Sequence, residues 1–278
     1  MTAWMSEGRT AVITGGASGI GLASAEQFLS AGMNVVIADR DEAALAKAAA
    51  KLGEAERILA AACDVTDEAA MAKLREAAAA RFGNIHCLMN NAGVGVMGKA
   101  PWEDVPAMKS LIETNLWGVI HGSAAFIPGM LAHGEPGAVI NTGSKQGITR
   151  PPGNIAYNIS KAGVMAYTES IAHAFRGIEN CQLSAHLLVP GFVYTGMIAK
   201  FIPEKPPFAA TSEETAAFMV EALKKDSFYI ICPDNETTRE MDEKRIQWTA
   251  EDMIKDRPAL SRWHPDFDEA FKGFMRDG

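Results

Sequence analysis

The chain has 278 residues, of which 48% are hydrophobic and 22% charged, a balance that suits one large α/β domain or two small ones. Its formal net charge of −8 argues against nucleic acid and against an anionic membrane surface as partners, because both require clustered Lys and Arg. No stretch approaches the length of a membrane span, and the start lacks the basic region and apolar run of a signal peptide.

Short apolar runs at residues 10–14, 34–38, 58–63, 86–90, 138–142, 182–189 and 228–232 read as buried strands. Longer helical patterns separate them, at 20–31, 42–52, 68–82, 105–132, 155–176 and 213–224. Continuous apolar strands alternating with helices predict a parallel sheet covered on both faces. Residues 196–212 hold Pro203, Pro206 and Pro207 and read as a loop with short helical pieces. Beyond the last strand, two further helices are expected at 237–256 and 266–276. Thr237 and Glu240 have the spacing of a capping box, and Pro258 stops the first helix. In the second, Phe267, Phe271 and Phe274 share one face. The expected organisation is therefore a domain over 1–232 with a helical extension over 233–278.

The turn after the first strand carries Thr14, Gly15, Ser18, Gly19, Ile20 and Gly21 and opens a helix, the setting in which a glycine-rich turn cradles a pyrophosphate. Glycines let the backbone turn tightly and approach the phosphates, and the helix N-terminus supplies free N–H groups and a positive dipole end. Asp39 ends the second strand, about 20 residues on, where a carboxylate can hydrogen-bond the adenosine ribose and repel a 2′-phosphate. Arg40 argues the other way, because it can pair with a 2′-phosphate. NAD is favoured, and NADP stays open.

Tyr157 and Lys161 are four apart on a helix, so their side chains are neighbours. A free phenol has a pKa of about 10, and a nearby ammonium with a positive nicotinamide ring would lower it enough for proton transfer near neutrality. Ser144 lies just past the fifth strand, at the carboxyl edge of the sheet where ligands bind in such folds. Its hydroxyl can hydrogen-bond a substrate oxygen; the plainer reading is a helix-cap serine. The four cysteines form no CxxC pair and read as free thiols of a reducing cytoplasm. The histidines lack ligand spacing, so no metal is assigned.

Taken in order, these pieces resemble the short-chain dehydrogenase/reductase family in its single-domain form. The resemblance rests on the glycine stretch at 14–21, Asp39, Asp64 with Val65, the run Asn90, Asn91, Ala92 and Gly93, then Asn115, Ser144, Tyr157, Lys161 and the segment Pro190, Gly191, Phe192, Val193, Tyr194 and Thr195. It spans roughly residues 8–232 and implies a Rossmann-type doubly wound sheet. It also implies an NAD(P)-dependent oxidoreductase acting on a secondary alcohol or ketone. By that resemblance Tyr157 is the acid/base, Lys161 holds the nicotinamide ribose and Ser144 orients the substrate. Asn115 holds a proton-relaying water. Asp64 and Val65 contact adenine, and Asn91, Ala92 and Gly93 line the adenosine side. Val193 and Thr195 meet the nicotinamide amide and phosphates, and Pro190 and Gly191 also bind the cofactor.

The resemblance further implies a homodimer or homotetramer through the helices near 105–132 and 155–176. Met197, Ile198, Phe201, Ile202 and Phe208, with Val94, Val96 and Met97, suggest a pocket for an apolar or aromatic alcohol or ketone. The extension, with Trp248 and Trp263, departs from the family pattern. It packs on its own domain, forms a subunit contact or walls the pocket. A carbonyl reductase using NADP, and a dinucleotide-sensing regulator without turnover, are the alternatives.

Overall fold

The computed structural model describes residues 2–53, 55–95, 102–199 and 202–276. Val96, Met97, Phe201 and the side chain of Met197, named above as pocket-wall candidates, lie outside the described residues.

In chain order the elements are β1 (Thr10–Thr14), α1 (Gly19–Ser30), β2 (Asn34–Asp39), α2 (Glu42–Leu52), β3 (Ile58–Ala62), α3 (Glu68–Phe82) and β4 (Cys87–Asn90). Next come α4 (Val105–Ile112), α5 (Gly118–His133), β5 (Gly137–Thr142), α6 (Lys145–Thr149), α7 (Ile155–Arg176) and β6 (Leu183–Val189). The chain then runs through α8 (Gly196–Ala199), α9 (Ser212–Lys224), β7 (Tyr229–Ile231), α10 (Arg239–Ile254) and α11 (Asp268–Arg276). The seven strands pair in the order β3-β2-β1-β4-β5-β6-β7, all parallel.

The apolar strands explain the layering. β1, β4 and β5 are buried along their whole length because helices cover both faces. On one face Phe28 of α1 and Met219 and Leu223 of α9 pack on Ala11, Ile13 and Met89. On the other, Met71 and Leu74 of α3 and Phe126 and Met130 of α5 pack on Val12, Leu88 and Val139. The strand order reverses between β1 and β4, which opens a crevice at the carboxyl ends of those strands, where ligands bind in such sheets.

Two departures from the sequence reading matter. The region expected as one helix over 105–132 is interrupted by a five-residue π-helical turn, Glu113–Trp117. The wider turn takes in an extra residue, a device found mostly at functional sites. The cap of α10 is Thr238, not Thr237: the Thr238 hydroxyl accepts from Met241 N–H at 3.3 Å. Thr237 Oγ1 instead accepts from Arg245 Nη1 at 3.2 Å, so no capping box forms with Glu240. A full capping box does occur at α9, between Thr211 and Glu214.

The extension folds on itself and on the sheet domain. Trp248 of α10 is buried, stacks on both Phe271 and Phe274 at 5.2 Å, and donates from Nε1 to Ser261 at 2.8 Å. Phe267 precedes α11 and meets His264 instead. Among the described residues no helix is long and apolar enough to cross a membrane.

Candidate active site

The glycine turn is shaped by close approach. Gly15 and Gly19 have φ of +63° and +55°, a region costly for residues with a Cβ. A Cβ on Gly15 would stand 2.8 Å from Ala92 Cα, and one on Gly21 would strike the Gly15 carbonyl. The turn therefore leaves an open backbone cradle that side chains would fill. Ser18 precedes α1 without a capping hydrogen bond, whereas α2, α3 and α9 are capped by Asp41, Asp67 and Thr211. The first N–H groups of α1, with Ile20 among them, therefore donate no capping bond to Ser18, and such a helix start is a ready site for an anion. A dinucleotide pyrophosphate fits this cradle.

β4 buttresses the turn. Thr14 Oγ1 accepts from the N–H groups of Asn91 and Ala92 at 3.0 and 3.2 Å. Asn91 Nδ2 donates to the carbonyls of Thr14 and Gly15 at 3.3 and 3.2 Å, and its Oδ1 accepts from Thr142 Oγ1 at 3.2 Å. The Asn91 side chain thus ties three strand ends together. From the far side Thr195 lies against Gly19, where a Cβ would come within 3.3 Å of Thr195 Cγ2. Val193 bridges to Ala210, so the segment after Pro190 and Gly191 folds back over the turn.

Asp39 sits half-buried at the end of β2, with its Oδ1 accepting from Asp41 N–H at 3.2 Å. Arg40 is exposed, and its charge reaches Asp64. The Asp64 carboxyl is held low mainly by a 2.9 Å bond from Thr66 N–H, with Thr66 Oγ1 and Arg40 adding to this. Val65 is buried against α5, where Gly118 leaves room for it, and its carbonyl pairs with His121. The side chains of Asp64 and Val65 are thus occupied within the protein.

At the other end of the crevice, Ser144, Tyr157 and Lys161 converge. Ser144 caps α6, accepting from Gln146 N–H at 3.2 Å, and its side chain is also hydrogen-bonded to the Tyr157 hydroxyl. Ser144 is thus a helix-cap serine whose side chain also meets Tyr157. Burial pushes the Tyr157 phenol above its ordinary value, and the bond to Ser144 opposes that rise. Lys161 is fully enclosed, and burial lowers its ammonium to about 8. Its Nζ lies 5.7 Å from the Tyr157 ring centre and donates to the Thr142 carbonyl at 2.7 Å. In the protein alone the phenol is therefore raised, and not lowered as expected from a nearby ammonium, because burial outweighs the bond to Ser144.

Asn115 lies in the π turn and is wholly buried. Its amide clasps the backbone of Val94, accepting from N–H at 2.7 Å and donating to C=O at 3.0 Å, and it also donates to Ser160 Oγ at 3.3 Å. A Cβ on Gly93 would stand 3.3 Å from Asn115 Oδ1 and 3.8 Å from Lys161 Nζ, so these three residues meet. The sequence reading missed Thr142 and Lys145, and it gave Thr14 no bond of its own to Asn91 and Ala92. The only sequence signal for Lys145 was its place beside Ser144.

The family model described as "short chain dehydrogenase" matches residues 9–206. A 1-deoxy-11-beta-hydroxypentalenate dehydrogenase from Streptomyces arenae is 34% identical over 93% of this chain and 94% of that protein. A 2,3-dihydroxy-2,3-dihydro-p-cumate dehydrogenase from Pseudomonas putida is 36% identical over 61% of this chain and 66% of that protein. Among solved structures, a short chain dehydrogenase/reductase from Burkholderia phymatum in complex with NAD superposes with a TM-score of 0.83 at 30% identity, covering 93% of this chain and 98% of that one. Sheet order, glycine turn and matched span agree: the chain belongs to the short chain dehydrogenase family, oxidoreductases that act on CH–OH donors with NAD(P).

Proposed function

We propose that the chain is an NAD-dependent dehydrogenase that oxidises a secondary alcohol on an apolar, ring-bearing skeleton to the ketone. The observation that carries this reading is the convergence of Ser144, Tyr157 and Lys161 at the carboxyl end of β5, across the crevice from the glycine turn. NAD held at the turn would supply the hydride acceptor. Ser144 would orient the substrate hydroxyl, and Tyr157 as phenolate would take its proton. Lys161 would hold the nicotinamide ribose and favour the phenolate. Asn115 shapes the relay behind Lys161.

Support for NAD comes from Asp39 at the end of β2, from the partial neutralisation of Arg40 by Asp64, and from the NAD in the Burkholderia phymatum neighbour. Exposed Arg40 is what favours the NADP-dependent reductase as second reading. Support for an apolar substrate comes from Val94, Ile198 and the edge-to-face pair Phe192 and Phe208 at 5.2 Å, and support for an alcohol comes from the hydroxylated compounds in the relatives' names. The deciding experiment is a fluorescence titration with NADH and NADPH, followed by a screen of alicyclic and aromatic secondary alcohols with NAD⁺. Much tighter NADH binding and oxidation of such alcohols are expected; tighter NADPH binding would favour the reductase. Exposed Trp117 in the turn before α5, with exposed Ile155 and Ile159 on α7, also fits a homo-oligomer, and a monomeric mass in solution would refute it.

A further inference from the structure

Lys145 follows Ser144 and opens α6, a helix of only five residues. So short a helix does not hold its place by its own hydrogen bonds. Two contacts hold it from opposite sides. Toward α7, Gly147 allows direct backbone packing: a Cβ there would stand 2.6 Å from the Lys161 carbonyl carbon. Toward the C-terminal extension, the Lys145 ammonium meets Asp242 at 2.7 Å and Asp234 at 3.4 Å. All three side chains are largely withdrawn from water, at 15%, 6% and 11% exposure. Ile148, Ile231 and Ile246 surround the Lys145–Asp242 pair, so its attraction is little screened.

The two carboxylates are themselves held. Asp234 Oδ1 accepts from Thr237 N–H at 2.8 Å, and Arg245 approaches the second oxygen of Asp242 at 3.9 Å. Gly191 closes the same corner. A Cβ there would strike the Asp234 carboxylate and come within 3.1 Å of Lys145 Nζ. The Lys145 N–H donates to the Pro190 carbonyl at 3.1 Å. One buried charge cluster therefore joins the extension, the segment after β6 and the residue next to Ser144.

We propose that Asp242 is a positioning residue: through Lys145 it holds α6 so that the Ser144 hydroxyl stays in register with Tyr157, which makes the C-terminal extension part of the catalytic apparatus. The inference rests on the dehydrogenase reading for its kinetic consequence, but the clamp itself can be read without turnover.

The test is Asp242→Asn, which removes the charge and keeps the volume, with a Lys145→Met/Asp242→Leu double variant. In Asp242→Asn, amide hydrogen exchange of residues 145–149 should quicken by about tenfold or more while β1 and β5 exchange as before. kcat for alcohol oxidation should fall by up to about 100-fold, as misplacement of a catalytic group does, with NADH affinity unchanged. The double variant should regain the melting temperature but not kcat. Unchanged exchange in α6 would overturn the proposal. So would recovery of kcat together with melting temperature in the double variant, which would reduce the pair to packing. Absence of turnover in the unaltered protein would count against the dehydrogenase reading, while the exchange measurement would still decide the clamp.

Discussion

The ammonium of Lys161 donates a 2.7 Å hydrogen bond to the carbonyl of Thr142, the last residue of β5. A cation in a site closed to water is thus held by a strand end and not by a carboxylate. Its charge remains available to whatever occupies the crevice, and burial has already lowered it to about 8. Because the folded value lies below the ordinary 10.5, the ammonium is present below about pH 8 and is lost as pH rises through that value. NADH affinity should therefore weaken above about pH 8 in the unaltered protein. In Lys161→Met it should be weak and flat with pH, as read by a fluorescence titration at each pH.

Tyr157 stands at the meeting point of Ser144 and Lys161, with its phenol raised by burial. Tyr157→Phe removes the phenol hydroxyl that is hydrogen-bonded to Ser144. It should lower kcat by about 10²- to 10⁴-fold, the usual worth of a positioned acid or base, and leave NADH binding unchanged. Steady-state kinetics beside the binding titration check this, and undiminished kcat would remove Tyr157 from the mechanism.

Asp39 is the residue on which cofactor choice should turn. Asp39→Ala takes away a charged acceptor, whose bonds are each worth about 1.5–3 kcal/mol, so NADH affinity should fall by roughly 10- to 100-fold. NADPH affinity should hold or rise, because Arg40 would then face the 2′-phosphate without the repelling carboxylate. Paired titrations of the two reduced cofactors give the answer.

The glycine turn makes a steric prediction. A methyl group on Gly21 would strike the Gly15 carbonyl and press within 2.7 Å of Asn91 Nδ2. Gly21→Ala should destabilise the fold by about 1–3 kcal/mol, the range for overpacking, and abolish NADH binding. Chemical denaturation and titration on the same sample would show both effects.

His86 should mark the acid limit of stability. Its Nδ1 accepts from Thr10 N–H at 3.1 Å, which requires that nitrogen to be unprotonated. Burial, then the charges of Arg9 and His133, lower the ring to about 4 from 6.5. The unfolded chain therefore binds the proton more readily between those values, so stability should fall as pH drops from 6.5 towards 4. His86→Asn should flatten that part of a melting-temperature profile, and an unchanged slope would assign the acid sensitivity elsewhere.

Much of the fold could be read from the chain. Each expected strand is present, with ends shifted by a residue or so, because a buried parallel strand between helices has to be a short continuous apolar run. The glycine turn was legible because positive φ and close backbone contact leave no other residue type. The π turn at Glu113–Trp117 was not, because one extra residue in a helix barely alters the apolar period. Nor was the cap at Thr238, since adjacent threonines offer the same local chemistry.

The sequence by itself determined which residue types stand as candidates for the chemistry and the order of elements that carries them to one edge of a sheet, because both follow from local pattern. Only the tertiary structure decided what those residues touch. Asn91 ties β1 to β4 and β5, Lys161 rests on Thr142, and Lys145 reaches Asp242 in a helix far along the chain. Hydrogen-bond partners, burial and the proton affinities they set depend on which segments pack together, and no local stretch of chain encodes that.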